Sequence, residues 1–286
     1  MNTFKIYLSI RIQSKFKEVC LQTILLVFLF CFKGFGQNNV DMPNKPFGSA
    51  GNCIGKSLVV NCFISEIGNK WNTAEKDSIL QKEQLGFNWL YKQSTNWGNK
   101  NLSFQVLNLA KDDDIVLAMI PKSSRSKIWI TEYALHATGY DDVYALYDSL
   151  KKKYQVEHLV FMFFANKTGH SFAQSSTDTV VKFNREYYVE GAIVYRNYLD
   201  NNGQLCTGTI IHELLHLYGA WDMYKRVDNN VLIDENISRG FQKSIMLNDR
   251  RNDLTKEIID PLTAWRLGWS KNYSPWFEAF RRERYK

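Results

Sequence analysis

Residues 212 to 222 read His212-Glu213-Leu214-Leu215-His216-Leu217-Tyr218-Gly219-Ala220-Trp221-Asp222, and no other stretch restricts the chain so far. Side chains four apart on an α-helix share a face. If the run is helical, His212 and His216 can each present a nitrogen to one ion about 2 Å away. Glu213 then falls on the adjacent face. From there its carboxylate reaches a water held by the metal without being a ligand, the placing that a general base for metal-assisted hydrolysis needs. The same segment carries Ile210, Ile211, Leu214, Leu215 and Leu217, an apolar surface that calls for burial. It is therefore expected to be core and site at once.

A catalytic zinc takes three protein ligands and keeps one position open. The chain has five histidines, His136, His158, His170, His212 and His216, and none follows the helix. The third ligand must then be a carboxylate. Gly219 can take the left-handed conformation that ends a helix, which lets the chain turn back and bring Asp222, six residues past His216, to the metal. Asp222 is the expected third ligand. Glu235 is the alternative, with Asp222 then supporting the site from outside. A non-catalytic zinc-binding module is the other alternative; Glu213 speaks against it, because a structural zinc needs four ligands and no base. His136, His158 and His170 lie near no second ligand in sequence and are read as ordinary residues, His170 on the surface.

His-Glu-x-x-His-x-x-Gly-x-x-Asp resembles the extended motif of the metzincin peptidases, in the variant with Asp in place of the usual third His that snapalysin-type enzymes carry. Metzincins also have a tight turn with a methionine beneath the metal. The segment Lys243-Ser244-Ile245-Met246-Leu247-Asn248-Asp249 is similar, with Met246 thirty residues past His216. The resemblance implies that Met246 packs under the histidines and fixes their orientation without binding zinc. Position 248, where some metzincins place a tyrosine ligand, is Asn248. Asp260-Pro261-Leu262-Thr263-Ala264-Trp265-Arg266-Leu267-Gly268-Trp269 resembles the helix after that turn in immune inhibitor A and snapalysin-like peptidases, and Tyr224 matches their Asp-x-Tyr ending. The likeness is specific over residues 205 to 269.

What the resemblance implies is an α/β (α+β) zincin: a twisted mixed β-sheet with backing helices and an active-site helix, then a mainly irregular and helical C-terminal subdomain. Its activity would be that of a zinc metalloendopeptidase with one catalytic zinc ion. His212, His216 and Asp222 would hold the metal, Glu213 would act as base, and Gly219 and Met246 would support the site. With Glu235 as ligand the site would instead be gluzincin-like.

The N-terminal segment is read separately. Lys5, Arg11, Lys15 and Lys17 precede an apolar run from Leu21 to Phe32, followed by Gly34, Gly36 and Gln37, so residues 1–36 have the form of a secretory signal peptide cleaved after Gly36. The run is short of the roughly twenty residues that span a bilayer, so membrane attachment is expected only if the segment stays uncleaved. Cys31, preceded by Phe30, is a poor lipidation site. The expected location is extracellular or periplasmic, and the secretion signal without a long pro-segment points to a bacterial source. Loss of residues 1–36 takes five positive charges and one negative with it and brings the formal +7 to about +3. The tail Arg281-Arg282-Glu283-Arg284-Tyr285-Lys286 by itself supplies +3 and is read as a solvated end. With no aromatic-interleaved basic stripe and no glycine loop for phosphate, nucleic acid is set aside. The expected partner is a protein or peptide substrate, and the expected state a monomer.

A hydrophobic content of 45% suits a globular chain. Residues 37–57 read as an irregular lead-in, 58–219 as an N-terminal catalytic subdomain ending in the active helix, and 220–286 as the C-terminal subdomain. Patterning predicts strands at Leu58 to Ser65, Leu102 to Leu109, His158 to Ala165 and Val189 to Tyr198, and helices at Thr73 to Gln93 and Asp142 to Tyr154. Ile115 to Ile120 and Lys127 to Thr131 add a strand or insertion. His170 to Ser176 stands where metzincins put an antiparallel edge strand, to which an extended peptide can add. Cys53, Cys62 and Cys206 follow the leader, and a secreted chain usually pairs its cysteines. Cys53 with Cys62 is the closest pair, which leaves Cys206 over; other pairings fit the sequence equally.

Overall fold

The two longest apolar strands of the chain lie side by side at the centre of one sheet. β1 (Lys56–Glu66) and β4 (His158–Gly169) are covered on both faces, which is why each reads as a near-continuous hydrophobic run rather than an alternation. In this computed structural model residues 48–109, 113–120, 139–140, 142–174, 189–198, 203–223, 241–248 and 250–280 are described, and all of them belong to one compact unit. The remaining strands are β2 (Ser103–Leu109), β3 (Ile115–Leu117), β5 (Phe172–Gln174) and β6 (Gly191–Tyr198). The sheet runs β2-β1-β4-β6-β5, with β3 pairing the far end of β1. Every pairing is parallel except β5 with β6, so the antiparallel edge expected around His170 to Ser176 is present over Phe172–Gln174.

Parallel neighbours need crossovers, and helices supply them on both faces. α1 (Thr73–Asn96) connects β1 to β2 and starts with a capping box in which Asn72 and Glu75 each accept the other's backbone N–H. α2 (Val143–Tyr154) starts at the Asp142 cap and precedes β4. Successive residues of a strand point to opposite faces, and the cores follow. Val59, Phe63, Val160, Met162 and Phe164 join the core shared with α1, while Leu58, Val60, Cys62, Ile64, Leu159, Phe161 and Phe163 join the core under α2. The protein is thus a mixed α/β fold with a twisted, mostly parallel sheet and backing helices, as the sequence led us to expect.

The two cores also correct the cysteine expectation. Cys53 lies in the α1-side core and Cys62 in the α2-side core, with the sheet between them. Cys53, Cys62 and Cys206 are all buried, and none of the three is in a disulfide. Two further differences concern extent. β4 continues four residues past Ala165 because a bulge between Ala165 and Thr168 restores its pairing with β6. Gly169 ends it where a Cβ would lie 2.2 Å from the Tyr195 ring. The stretch Ile115 to Ile120 is a strand only to Leu117, after which the Ile120 N–H turns to Glu66 Oε1. The part of the lead-in that is described is built into the body: Ala50 N–H donates to Glu190 Oε2, and Ser49 Oγ accepts the Glu190 N–H. Residues 1–36, Lys127 to Thr131, Ser175 to Ser176 and the basic tail lie outside the described residues. No helix among the described residues is long and apolar enough to cross a membrane.

Candidate metal centre

α3 (Thr207–Leu217) carries the His-Glu-x-x-His run and is buried along its whole length. A helix with apolar residues on every side has to be enclosed, and three neighbours enclose this one. α1 comes close at Gly86, where a Cβ would lie 2.4 Å from the side chain of Ile211. β5 and β6 lie against another part of its surface. At its start the N-cap residue Cys206 makes no capping bond. The loop at 251–252 supplies the acceptors instead: Gly208 N–H donates to the Arg251 carbonyl at 2.7 Å and Thr207 N–H to Asn252 Oδ1 at 3.3 Å. The Cys206 thiol packs with Tyr198 and Thr209, its sulfur 3.0 Å from the Tyr198 hydroxyl.

The helix ends as the glycine requires. Gly219 has φ +95°, Ala220 N–H donates to the Leu215 carbonyl and Gly219 N–H to the His216 carbonyl, the paired bonds of a Schellman ending. The reversal has two consequences. It aims the Ala220 carbonyl at His216 Nδ1, 2.9 Å away, and it brings Asp222 back over the helix. There Asp222 Oδ1 lies 2.9 Å from His216 Nε2 and 3.3 Å from His212 Nε2. His212 Nδ1 in turn lies 3.1 Å from the Ile245 carbonyl.

A carbonyl only accepts, so each Nδ1 carries a hydrogen and each neutral ring offers the lone pair of Nε2. The two Nε2 atoms are 3.0 Å apart, and Asp222 Oδ1 is a third acceptor facing both. Acceptors turned towards one another are held by a shared proton or by a cation. The ligand atoms of His212, His216 and Asp222 all lie within 4.8 Å of one another, and the group can hold a metal ion. The donor set suits zinc: ligands about 2.0–2.1 Å from a tetrahedral zinc stand about 3.3 Å from each other, close to the three separations seen. Each imidazole also has the outer hydrogen bond that fixes a ligating histidine in its tautomer.

A proton shared among these acceptors in place of a cation shifts the titration of both His216 and Asp222. Burial pushes the Asp222 carboxyl up, but the charge of His216 and hydrogen bonds from both rings outweigh it and hold the group well below the usual carboxylate range. Burial likewise pulls His216 down, and the charge and hydrogen bond of Asp222 outweigh that, so the imidazole stays protonated above its ordinary range. Glu213, itself buried, adds to the rise in His216.

The segment after Phe241 closes the site from the C-terminal side. Leu247 and Asn248 both donate to the Ser244 carbonyl at 3.0 Å, forming a tight turn with Met246 buried in it. The Met246 carbonyl accepts the N–H of Met223, the residue after Asp222, at 2.9 Å. α4 (Pro261–Arg266) follows, capped by Asp260. From it Arg266 reaches back, its Nε donating to the Gly219 carbonyl at 2.7 Å and its guanidinium 4.3 Å over the Trp221 ring.

The four residues singled out in the motif, His212, Glu213, His216 and Asp222, therefore sit together around the end of one helix, with Gly219 making the turn. His170 is exposed in the link from β4 to β5, and His158 sits beside Gly51 and the Tyr218 ring. Neither joins the group. Glu235, Tyr224, Asp249 and His136 lie outside the described residues. Sequence reasoning missed the backbone acceptors Ile245 and Ala220, which have no side-chain signature, and the hydrogen-bonded roles of Ser244, Asn252, Asp260 and Arg266. Of these, Asp260 before Pro261 carried a readable signal as a helix cap.

No family model matches the sequence, and no curated protein matches it. Among solved structures the chain is similar to metalloproteinase-II from Bacteroides fragilis, with 13% identity, 80% of this chain and 59% of that chain covered, and a TM-score of 0.36. The chain thus spans about three-fifths of the length of that protein.

Proposed function

We propose that the chain is a secreted zinc metalloendopeptidase of the metzincin type, with His212, His216 and Asp222 holding one zinc ion and Glu213 acting as general base. The observation that supports this most is the convergence of His212 Nε2, His216 Nε2 and Asp222 Oδ1, with both Nδ1 atoms committed to carbonyls. Three protein ligands leave a fourth position open, which favours a catalytic over a structural ion. When bound, zinc lowers the pKa of a water it holds and polarises a carbonyl.

The residues of the chain do the rest. The Glu213 carboxylate takes a proton from the attacking water and delivers it to the leaving amine nitrogen of the scissile peptide. Gly219 sets the reversal that carries Asp222, and the Met246 carbonyl anchors the segment after Asp222 through the Met223 N–H. β5, a short antiparallel edge beside α3, is where an extended peptide would add as a further strand. Residues 1–36 direct the chain out of the cytoplasm and are removed, residues 58–219 act as the catalytic subdomain, and residues 220–286 close the site.

Zinc stoichiometry and casein hydrolysis on the wild-type chain and Glu213→Gln test this reading. One zinc per chain is expected in both, with turnover in the variant lower by roughly 10²- to 10⁴-fold. A variant that keeps its turnover removes Glu213 as the base. A wild-type chain that binds no zinc removes the metal reading altogether.

A further inference from the structure

His212 donates to the Ile245 carbonyl, and the segment carrying Asp222 is tied to the Met246 carbonyl through Met223 N–H. The orientation of both ligands thus depends on a turn two residues long. What holds the turn is a buried polar group. Ser244 Oγ donates to Asp260 Oδ2 at 2.7 Å and accepts the Met246 N–H at 3.2 Å. Asp260 also accepts from the Thr263 N–H at 3.0 Å and the Thr263 hydroxyl at 2.5 Å. Ser244, Asp260 and Thr263 are all fully buried. Ile258 runs beside the turn, donating to the Lys243 carbonyl and accepting from Ile245 N–H, which fixes the direction of the Ile245 peptide.

We propose that Ser244 and Asp260 are positioning residues for the metal site: the carboxylate that caps α4 locks the turn whose carbonyls orient His212 and the segment carrying Asp222. This rests on the metal reading given above. A cap alone needs only the Thr263 N–H. The second oxygen of Asp260 is shared between Ser244 and Thr263, and through Ser244 it reaches the backbone that His212 bonds. Outer hydrogen bonds of this kind typically change metal affinity by about 10- to 100-fold.

The test compares Ser244→Ala with Thr263→Val, which takes a hydroxyl from the same Asp260 oxygen but leaves the turn alone. Zinc affinity is measured by chelator competition, ligand geometry by the visible absorption of the Co²⁺-loaded protein, and folding by the melting temperature of the metal-free chain. The expected result is a fall in melting temperature for both variants, with Ser244→Ala alone weakening zinc by about tenfold or more and shifting the Co²⁺ bands. Asp260→Asn, which keeps an oxygen for the Thr263 N–H, is the second variant should Ser244→Ala fail to fold, and its Co²⁺ bands are expected to shift likewise. Wild-type zinc affinity and bands in the folded turn variant, or equal losses in Thr263→Val, overturn the proposal. A wild-type chain that takes up no zinc overturns the metal reading and this proposal with it, an outcome distinct from wild-type binding that the variants leave unchanged.

Discussion

Replacing Glu83 by Gln is expected to make the protein more stable above neutral pH and to leave it nearly unchanged in mild acid. Glu83 points from α1 into the sheet, where Asn61 Nδ2 donates to its Oε2 at 2.7 Å. Its other oxygen and Asn61 Oδ1 are buried with no hydrogen-bond partner among the described residues. The buried cation of the same helix, Lys76, is engaged with Asp114 at 2.7 Å. Burial therefore dominates, and it pushes the Glu83 carboxyl from 4.5 up to about 7, with the Asn61 bond pulling the other way. A folded-state pKa above the unfolded one means that the folded chain binds the extra proton. The stabilisation is complete below about 4.5 and is lost as pH rises through about 7. At 1.36 kcal/mol for each pH unit the gap sets a ceiling of about 3 kcal/mol, or a shift of roughly 6–12 °C in melting temperature for a chain of this size. Gln keeps the shape and cannot ionise. Urea unfolding of wild type and Glu83→Gln at pH 5 and pH 8 measures the difference between the two proteins and cancels all groups they share. Parallel curves at both pH values, or a variant less stable than wild type at pH 8, would refute a neutral buried Glu83.

Two further outcomes follow from the packing and charge of the site. Gly86→Ala is expected to cost about 1–3 kcal/mol despite the better helix propensity of alanine, because the new methyl meets Ile211 Cδ1 and Cγ1 at 2.4 Å; urea unfolding should show the loss, and adding Ile211→Val should recover part of it, whereas an unchanged midpoint denies the close crossing of α1 and α3. In the metal-free chain the raised His216 pKa gives stability that is full below about 6.5 and lost at higher pH, and the lowered Asp222 pKa gives stability that is full above about 3.9 and lost in acid. The metal-free melting temperature should therefore peak between those values, while the rise in melting temperature on adding zinc should grow from pH 5 to pH 8 as protons leave the ligands; a zinc effect independent of pH would rule out histidine ligation.

Much of this was legible because side chains announce it. The strands at β1, β4 and β6 follow from buried apolar runs, and α1 from the helical patterning of Thr73 to Gln93. The placing of Asp222 follows from one glycine at the right distance from His216. Other parts were hidden for physical reasons. The polar stretch Asn166-Lys167-Thr168 continues β4 because its partner β6 reaches that far, information held some thirty residues away. Cys53 and Cys62 look like a pair in sequence, yet Cys53, which precedes β1, packs in the core on one side of the sheet and Cys62, on β1, in the core on the other. The cap of α3 comes from Asn252, 45 residues from Thr207, so the residue before the helix, Cys206, shows no capping chemistry.

The least legible part of the site is what makes it work as one unit. His212 and His216 are buried, and a buried imidazole N–H without an acceptor costs about 1–3 kcal/mol. A fully enclosed helix cannot borrow water for this purpose, so acceptors have to arrive as backbone carbonyls carried by other segments. Ala220 is supplied locally by the Gly219 reversal, but Ile245 comes from 33 residues further on. Its turn is held in place through Ser244 by Asp260, while α4 ties back to Gly219 through Arg266. The chain up to Gly219 thus carries the helix that displays His212 and His216, and the segments after it supply the carbonyls that decide which way their nitrogens point. The segment after Asp222, legible in sequence through Met246 and the helix at Asp260 to Trp269, also supplies through Ile245 the acceptor that orients His212 in the candidate metal site.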